Sequence, residues 1–311
     1  MNNKKNILLV LVIILLAVAS LFLLKSDFNS LKSKKTGKVN IVASFYPLTF
    51  LASEVGGELV SVYNLTPAGA EPHDFEPSPR ELASLRDSDL FIYNGASFEP
   101  WIQKWLPAQN IYLKHSINMV EELRGRGTQL IFKDKNIDPH IWLDPMIARE
   151  EALVIRDMLI QIDPDNRDIY SANAKQLDEK LSLLNKTFKD TLDSCLQKDV
   201  IVSHDAFGYL AQRYGLSVTS ISGISPDEEP SPQEIIRIVT LAREKGIHYI
   251  FTELTANPKF AETIAREIDG GFLVLNPIES LTPNEVQSKE DYLSLMMLNL
   301  QHLKTALLCN Q

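Results

Sequence analysis

The feature that most constrains this chain is a stretch from Asp165 to about Leu196 that contains neither Pro nor Gly. In it Tyr170, Ala174, Leu177, Leu181, Leu184, Phe188, Leu192 and Cys195 recur at steps of three or four. That spacing puts them on one stripe of an α-helix, which at 1.5 Å per residue predicts a rod of roughly 45 Å. A rod that long needs neighbours on both sides of the chain. The flanking sequence supplies them. Val39–Ala43, Val60–Tyr63 and Leu90–Tyr93 before the rod, and Val200–Val202, Val218–Ile221, His248–Phe251 and Phe272–Leu275 after it, are short β-branched or aromatic runs. Helical patterns separate them, near 80–87 in the first half and 205–214, 232–245 and 258–269 in the second. This is the rhythm of parallel βα units, so the expected fold is α/β, two lobes with mainly parallel sheets joined by a long rigid backbone helix. The expected division is 39–146 for the N-terminal lobe, 147–198 for the connecting helical region and 199–311 for the C-terminal lobe.

Residues 1–38 differ in kind. Lys4 and Lys5 precede an apolar run from Ile7 to Leu24 broken only by Ser20, the layout of an export signal or a membrane anchor over 1–25, with a polar linker over 26–38. Ala17-Val18-Ala19 has the form of a cleavage site, but cutting there leaves Leu21 to Leu24 on the mature end, so an uncleaved anchor is preferred. No Cys lies near the run for lipidation. The segment holds seven Lys and one Asp, which leaves 24 − 39 = −15 on residues 39–311. A body that acidic repels phosphate backbones, and no nucleic-acid partner is expected. Cys195 and Cys309 are too few for a Cys-rich metal site, and one disulfide between them is left open.

Three of the six His sit in settings unlike the others. His73 lies in the Pro-stiffened stretch Glu71-Pro72-His73-Asp74-Phe75-Glu76-Pro77-Ser78-Pro79, His140 in Asp138-Pro139-His140-Ile141-Trp142-Leu143-Asp144-Pro145, and His204 directly after a strand in Ser203-His204-Asp205-Ala206-Phe207. Loops at the carboxyl ends of parallel strands are where open sheets gather ligands, and imidazole is a common zinc ligand. His115, His248 and His302 have ordinary surroundings. Glu253 and Glu279 each follow a second-half strand, and either could be a fourth donor.

With Gly69-Ala70 before the first of these stretches, and with Gly223-Ile224-Ser225-Pro226-Asp227-Glu228-Glu229-Pro230-Ser231-Pro232 after the third, the sequence resembles the zinc-uptake complex component A family, the metal-binding solute-binding proteins of zinc and manganese ABC transporters. The resemblance covers essentially residues 39–308. It implies a metal site in the interlobe cleft with His73, His140, His204 and Glu279 as ligands, one Zn2+ per chain, and an ABC transporter membrane permease as partner. It further implies a binding protein rather than an enzyme, exported to a periplasmic or cell-surface location and monomeric. Three imidazoles with one carboxylate suit zinc, while manganese or iron is the alternative cargo. Many zinc members carry a His- and acid-rich loop between the first two ligands; here that interval holds only His115. Two further readings are weaker. A zinc-dependent hydrolase would need an open metal position, and an adhesin has nothing beyond surface exposure in its favour.

Overall fold

The computed structural model describes residues 37–108, 113–133, 135–224, 229–254 and 258–310. The apolar run Ile7–Leu24 and its cleavage or anchoring lie outside the described residues, as do residues 225–228 of the fourth matching stretch. Among the described residues no helix is long and apolar enough to cross a membrane.

Two four-stranded sheets form the framework. In the first, β1 (Val39–Ala43) lies between β2 (Val60–Asn64) and β3 (Leu90–Tyr93), with β4 (Ser116–Asn118) beyond β3. In the second, β7 (Asp199–Val202) and β9 (Tyr249–Thr252) are central, flanked by β8 (Ser217–Ser220) and β10 (Gly271–Val274). Every pairing in both sheets is parallel. The runs read from sequence become these strands with ends moved by a residue or less, and the apolar residues of the central strands β1, β3, β7 and β9 are mostly buried.

The helices are α1 (Tyr46–Gly56), α2 (Pro79–Asp87), α3 (Pro100–Ala108), α4 (Met119–Gly125), α5 (Pro145–Ile162), α6 (Arg167–Asp193), α7 (Gly208–Tyr214), α8 (Pro232–Lys245), α9 (Lys259–Glu267), α10 (Pro283–Ser288) and α11 (Tyr292–Ala306). Helix α6 is the expected rod, 27 residues or about 40 Å. It is shorter than Asp165–Leu196 because Pro164–Asn166 forms a separate 3-10 turn and the chain leaves the helix at Ser194. Its buried residues are Tyr170, Ala174, Leu177, Leu181, Leu184, Phe188 and Leu192, the stripe read from spacing. The stripe packs on α1 and α5 on one side and on α7 and α11 on the other. One continuous apolar core therefore runs from Ile41 and Leu48 through Leu181 to Val202 and Phe251.

Cys195 and Cys309 are disulfide-bonded, closing the end of α6 onto the C-terminal residues. Helix α11 also returns towards the first sheet, where Tyr292 stacks on Phe50 at 5.4 Å and its hydroxyl donates to the Trp142 carbonyl at 2.5 Å. A short hairpin, β5 (Phe132–Lys133) with β6 (Asn136–Ile137), leads into the His140 loop. Neither β4 nor this hairpin is visible in the sequence pattern, since strands of two or three residues leave no periodicity.

Candidate metal centre

In each sheet the strand order reverses between the two central strands, β1 and β3 in the first and β7 and β9 in the second. The functional side chains collect outside the carboxyl ends of the strands, the place such reversals open a crevice. His204 follows β7 by two residues, Glu253 directly follows β9, and Glu279 lies in the loop after β10. His73 comes from the loop after β2, and His140 from the turn between β6 and α5.

His73, His140, His204 and Glu279 converge: one ligand atom from each lies within 4.8 Å of the other three, and all four residues are buried. Glu279 Oε1 is 3.3 Å from His140 Nε2, 3.5 Å from His204 Nε2 and 3.7 Å from His73 Nε2. These four buried atoms make no hydrogen bond. A tetrahedral zinc with bonds of 2.0–2.2 Å requires donor–donor separations of roughly 3.3–3.6 Å; the His140 and His204 separations from Glu279 Oε1 fall in that range and the His73 one lies just beyond it. Among the described residues no other group of this kind is present. His302 is occupied elsewhere, its Nδ1 lying 2.6 Å from the Val274 carbonyl.

Carboxylates orient two of the rings. His140 Nδ1 is 2.8 Å from Asp138 Oδ1, and His204 Nδ1 is 2.6 Å from Glu253 Oε1. An ionised carboxylate only accepts, so the neutral ring keeps its proton on Nδ1 and turns the Nε2 lone pair to the centre. Glu253 is thus beside the site, on the far nitrogen of His204. His73 is positioned differently, by the edge of its ring against Phe98 at 4.5 Å and by its backbone N–H donating to Glu71 Oε1 at 3.2 Å.

The loop of Glu279 is pinned from two directions. Ile278 has φ of 60°, a left-handed conformation costly for a β-branched residue. Asn276 holds it there: its side-chain oxygen accepts from Ile278 N at 2.7 Å, while Asn299 bonds both backbone groups of Asn276 at 2.8 and 2.7 Å. Trp142 donates to the Pro277 carbonyl at 2.7 Å, joining the His140 turn to the Glu279 loop. The Asn276 and Trp142 contacts emerge only in three dimensions. A further support has no sequence signal. Asn94, after β3, donates to the Pro139 carbonyl at 2.9 Å, and Asn94 N and Ser44 Oγ donate to the buried Glu99 at 2.8 and 2.6 Å.

The electrostatics favour positive charge at the centre. Burial by itself would raise the Glu279 carboxyl, but His140, His204 and His73 outweigh it and hold it well below the usual range. Burial would lower His140 and His204, yet Asp138 and Glu279 raise the first and Glu253 with Glu279 carries the second well above the ordinary imidazole value. Glu71 lines a small recess beside the site with Pro72, Leu254 and Glu279, and burial and then the Glu279 charge push it up to about 9. The three rings surround one buried carboxylate, and the raised His140 and His204 would give up protons to a divalent ion.

Residues 41–306 match the family described as zinc-uptake complex component A, periplasmic. This chain belongs to that family. Among relatives in the zinc-uptake family, the high-affinity zinc uptake system protein ZnuA of Bacillus subtilis is 33% identical over 309 residues, spanning 94% of this chain and 97% of that protein. The zinc-binding lipoprotein AdcA of Streptococcus pneumoniae is 33% identical over 308 residues, and there the match covers 94% of this chain but only 60% of AdcA. The crystal structure of the Zn(II)-bound ZnuA-like domain of that AdcA superposes with a TM-score of 0.76 at 36% identity, over 87% of this chain and 99% of that one. The laminin-binding protein of Streptococcus agalactiae, described as bifunctional with adhesin and metal transporting activity, gives a TM-score of 0.78 at 33% identity, over 87% and 99%. The family is one of uptake-system components rather than of enzymes.

Proposed function

We propose that this chain captures one zinc ion between its lobes, outside the cytoplasm, and delivers it to an ABC transporter permease, with His73, His140, His204 and Glu279 as the ligands. The observation that carries the reading is the set of four buried, hydrogen-bond-free donor atoms, with Glu279 Oε1 3.3–3.7 Å from three imidazole nitrogens, close to tetrahedral spacing. Three nitrogens and one oxygen favour zinc over manganese, whose sites are richer in carboxylates. A fourth protein donor fills the position that a hydrolytic zinc would keep for water, so the proposed role is carriage rather than catalysis.

Export is supported by the basic-then-apolar N-terminal sequence and by the Cys195–Cys309 disulfide, since disulfides persist in oxidising compartments. The lobes of this reading are residues 39–146 and 199–311, connected through 147–198, and the carrier works as a monomer. Metal analysis of the full chain purified without added metal tests it. One equivalent of zinc, retained against equimolar manganese, is the expected result, and a chain that keeps manganese under that competition overturns it.

A further inference from the structure

We propose that Lys133 is a positioning residue for the metal centre, an ammonium that ties a carboxylate of the first lobe to one of the second directly behind two of the histidines. The proposal rests on the zinc-binding reading above. Lys133 ends the first strand of the β5–β6 hairpin and is half-buried. Its Nζ lies 2.8 Å from Asp138 Oδ2 and 2.7 Å from Asp205 Oδ2, and donates to the Asp205 carbonyl at 2.8 Å. Asp138 spends its other oxygen on His140 Nδ1, and Asp205 is the residue after His204. A continuous line of contacts therefore runs from one histidine, through Asp138, Lys133 and Asp205, to the backbone of another.

The packing around this line is close enough to need a glycine. A Cβ on Gly208, at the start of α7, would stand 2.8 Å from Asp138 Oδ2 and 3.7 Å from Lys133 Nζ. The next residue closes the same junction: Tyr209 Oη donates to the Asp138 carbonyl at 2.9 Å and accepts from Ile131 N at 3.1 Å. The second lobe is thereby seated on the hairpin that leads to His140, with Lys133 as the charged contact between them.

The physical role follows from Asp138, which is fully buried. A buried carboxylate needs compensation at both oxygens, and here one oxygen bonds the imidazole while the other, which accepts no hydrogen bond, is ion-paired with an ammonium 2.8 Å away. That arrangement fixes the plane of the carboxylate and so the aim of His140, while the same ammonium holds Asp205 and the His204 segment across the cleft. Without it the two histidines are set by separate lobes, and the donor spacing is free to widen.

The test uses the full chain, with zinc affinity and release rate measured by chelator competition and the ligand field read from the visible spectrum of the cobalt form. Lys133→Met keeps the aliphatic stem and removes the charge. It should weaken zinc by about 10–100-fold, the usual consequence of losing a group that orients a ligand, chiefly through faster release, and should shift the cobalt bands. Lys133→Arg should restore most of the affinity. Asp205→Asn, which keeps the carbonyl contact and cuts one arm, should fall between and serves if Lys133→Met does not fold. Wild-type affinity with an unchanged cobalt spectrum in Lys133→Met, or in Asp205→Asn should the first not fold, overturns the role of Lys133 and leaves the zinc reading standing. Equal losses in the Met and Arg variants with wild-type cobalt bands make Lys133 a packing residue and overturn it too. A wild-type chain that binds no zinc overturns both.

Discussion

Glu253 sits 2.6 Å from His204 Nδ1, while the opposite nitrogen of that ring faces Glu279 at 3.5 Å. One imidazole thus separates the two carboxylates that sequence alone leaves as rivals for a fourth donor. Ser203 also donates its hydroxyl to Glu253 Oε1, which holds that group on the outer side of the ring. Glu279→Gln should weaken zinc binding by more than about 100-fold, because a neutral amide is a poor donor. Glu253→Gln should cost about 10–100-fold, the range for a lost orienting partner. Chelator competition on both variants checks this, and the reverse order of losses would make Glu253 the ligand.

Zinc binding should release protons, and its affinity should rise through and above neutral pH. The physical cause is that Asp138, Glu253 and Glu279 raise His140 and His204, overcoming the burial that would lower them. Raised imidazoles stabilise the metal-free fold fully below about pH 6.5, and that contribution is lost as pH climbs through their folded values. The depressed Glu279 works in the other direction, its contribution being present above about pH 4.5 and lost as pH falls. The thermal shift produced by saturating zinc should therefore grow between pH 6 and 8. Calorimetry in buffers of different ionisation enthalpy checks the proton release; none at pH 7 would contradict these directions.

Glu151, which is not part of the metal cluster, predicts a separate pH effect. It is fully buried on α5, neither carboxylate oxygen has a hydrogen-bond partner, and burial, helped by the Glu150 charge, pushes it up to about 8. The folded state then holds a proton that the unfolded state has lost between pH 4.5 and 8, so stability falls with rising pH in that window by about 1.4 kcal/mol per unit for the one proton. Glu151→Gln should flatten this slope and raise the melting temperature at pH 8. Denaturant unfolding at pH 5.5 and 8 measures it.

The Cys195–Cys309 bond spans 114 residues of sequence and encloses the whole second sheet. Cross-linking a loop that long restricts the unfolded chain, so Cys309→Ser should lower stability by ~2–5 kcal/mol. Zinc affinity should be unchanged, since neither sulfur belongs to the metal cluster. Unfolding with and without reductant, with zinc titration as control, separates the two effects.

Much of the framework was legible because burial imposes periodicity. The α6 stripe and the β-branched runs of β1, β3, β7 and β9 must face a core, and that requirement is written at steps of three to four or as short apolar blocks. The three histidines were legible from their loops and from family resemblance. The groups that support them were not, because Lys133, Asn94 and Glu99 reach partners at distances in sequence that no local pattern records. Asn94 reaches Pro139 within the first lobe, and Lys133 reaches Asp205 across to the second, through contacts that exist only in the folded chain. A polar residue's partner is fixed by topology, whereas an apolar residue's burial is fixed by its own chemistry.

The final prediction concerns motion and follows from α6. Its stripe packs simultaneously on α1 of the first lobe, on α5 of the connecting region, and on α7 and α11 of the second lobe. Arg213 on α7 pairs with Asp144 at 2.7 Å, and Tyr292 on α11 bonds the Trp142 carbonyl, so the lobes are joined on several sides. Wide opening would require exposing apolar residues such as Leu181 and Leu184, at roughly 25 cal/mol for each Å². Zinc loading should therefore move the His73 and Glu279 loops and tilt the lobes slightly, leaving the radius of gyration nearly constant in small-angle scattering. A large compaction on adding zinc would contradict the strut. Leu181→Pro removes a helix hydrogen bond and forces the ring against the preceding turn, costing ~3 kcal/mol or more. If the variant folds, its scattering should broaden and its zinc affinity should drop together, because the helix that fixes the lobes is also what holds His73 and His140 within reach of His204 and Glu279.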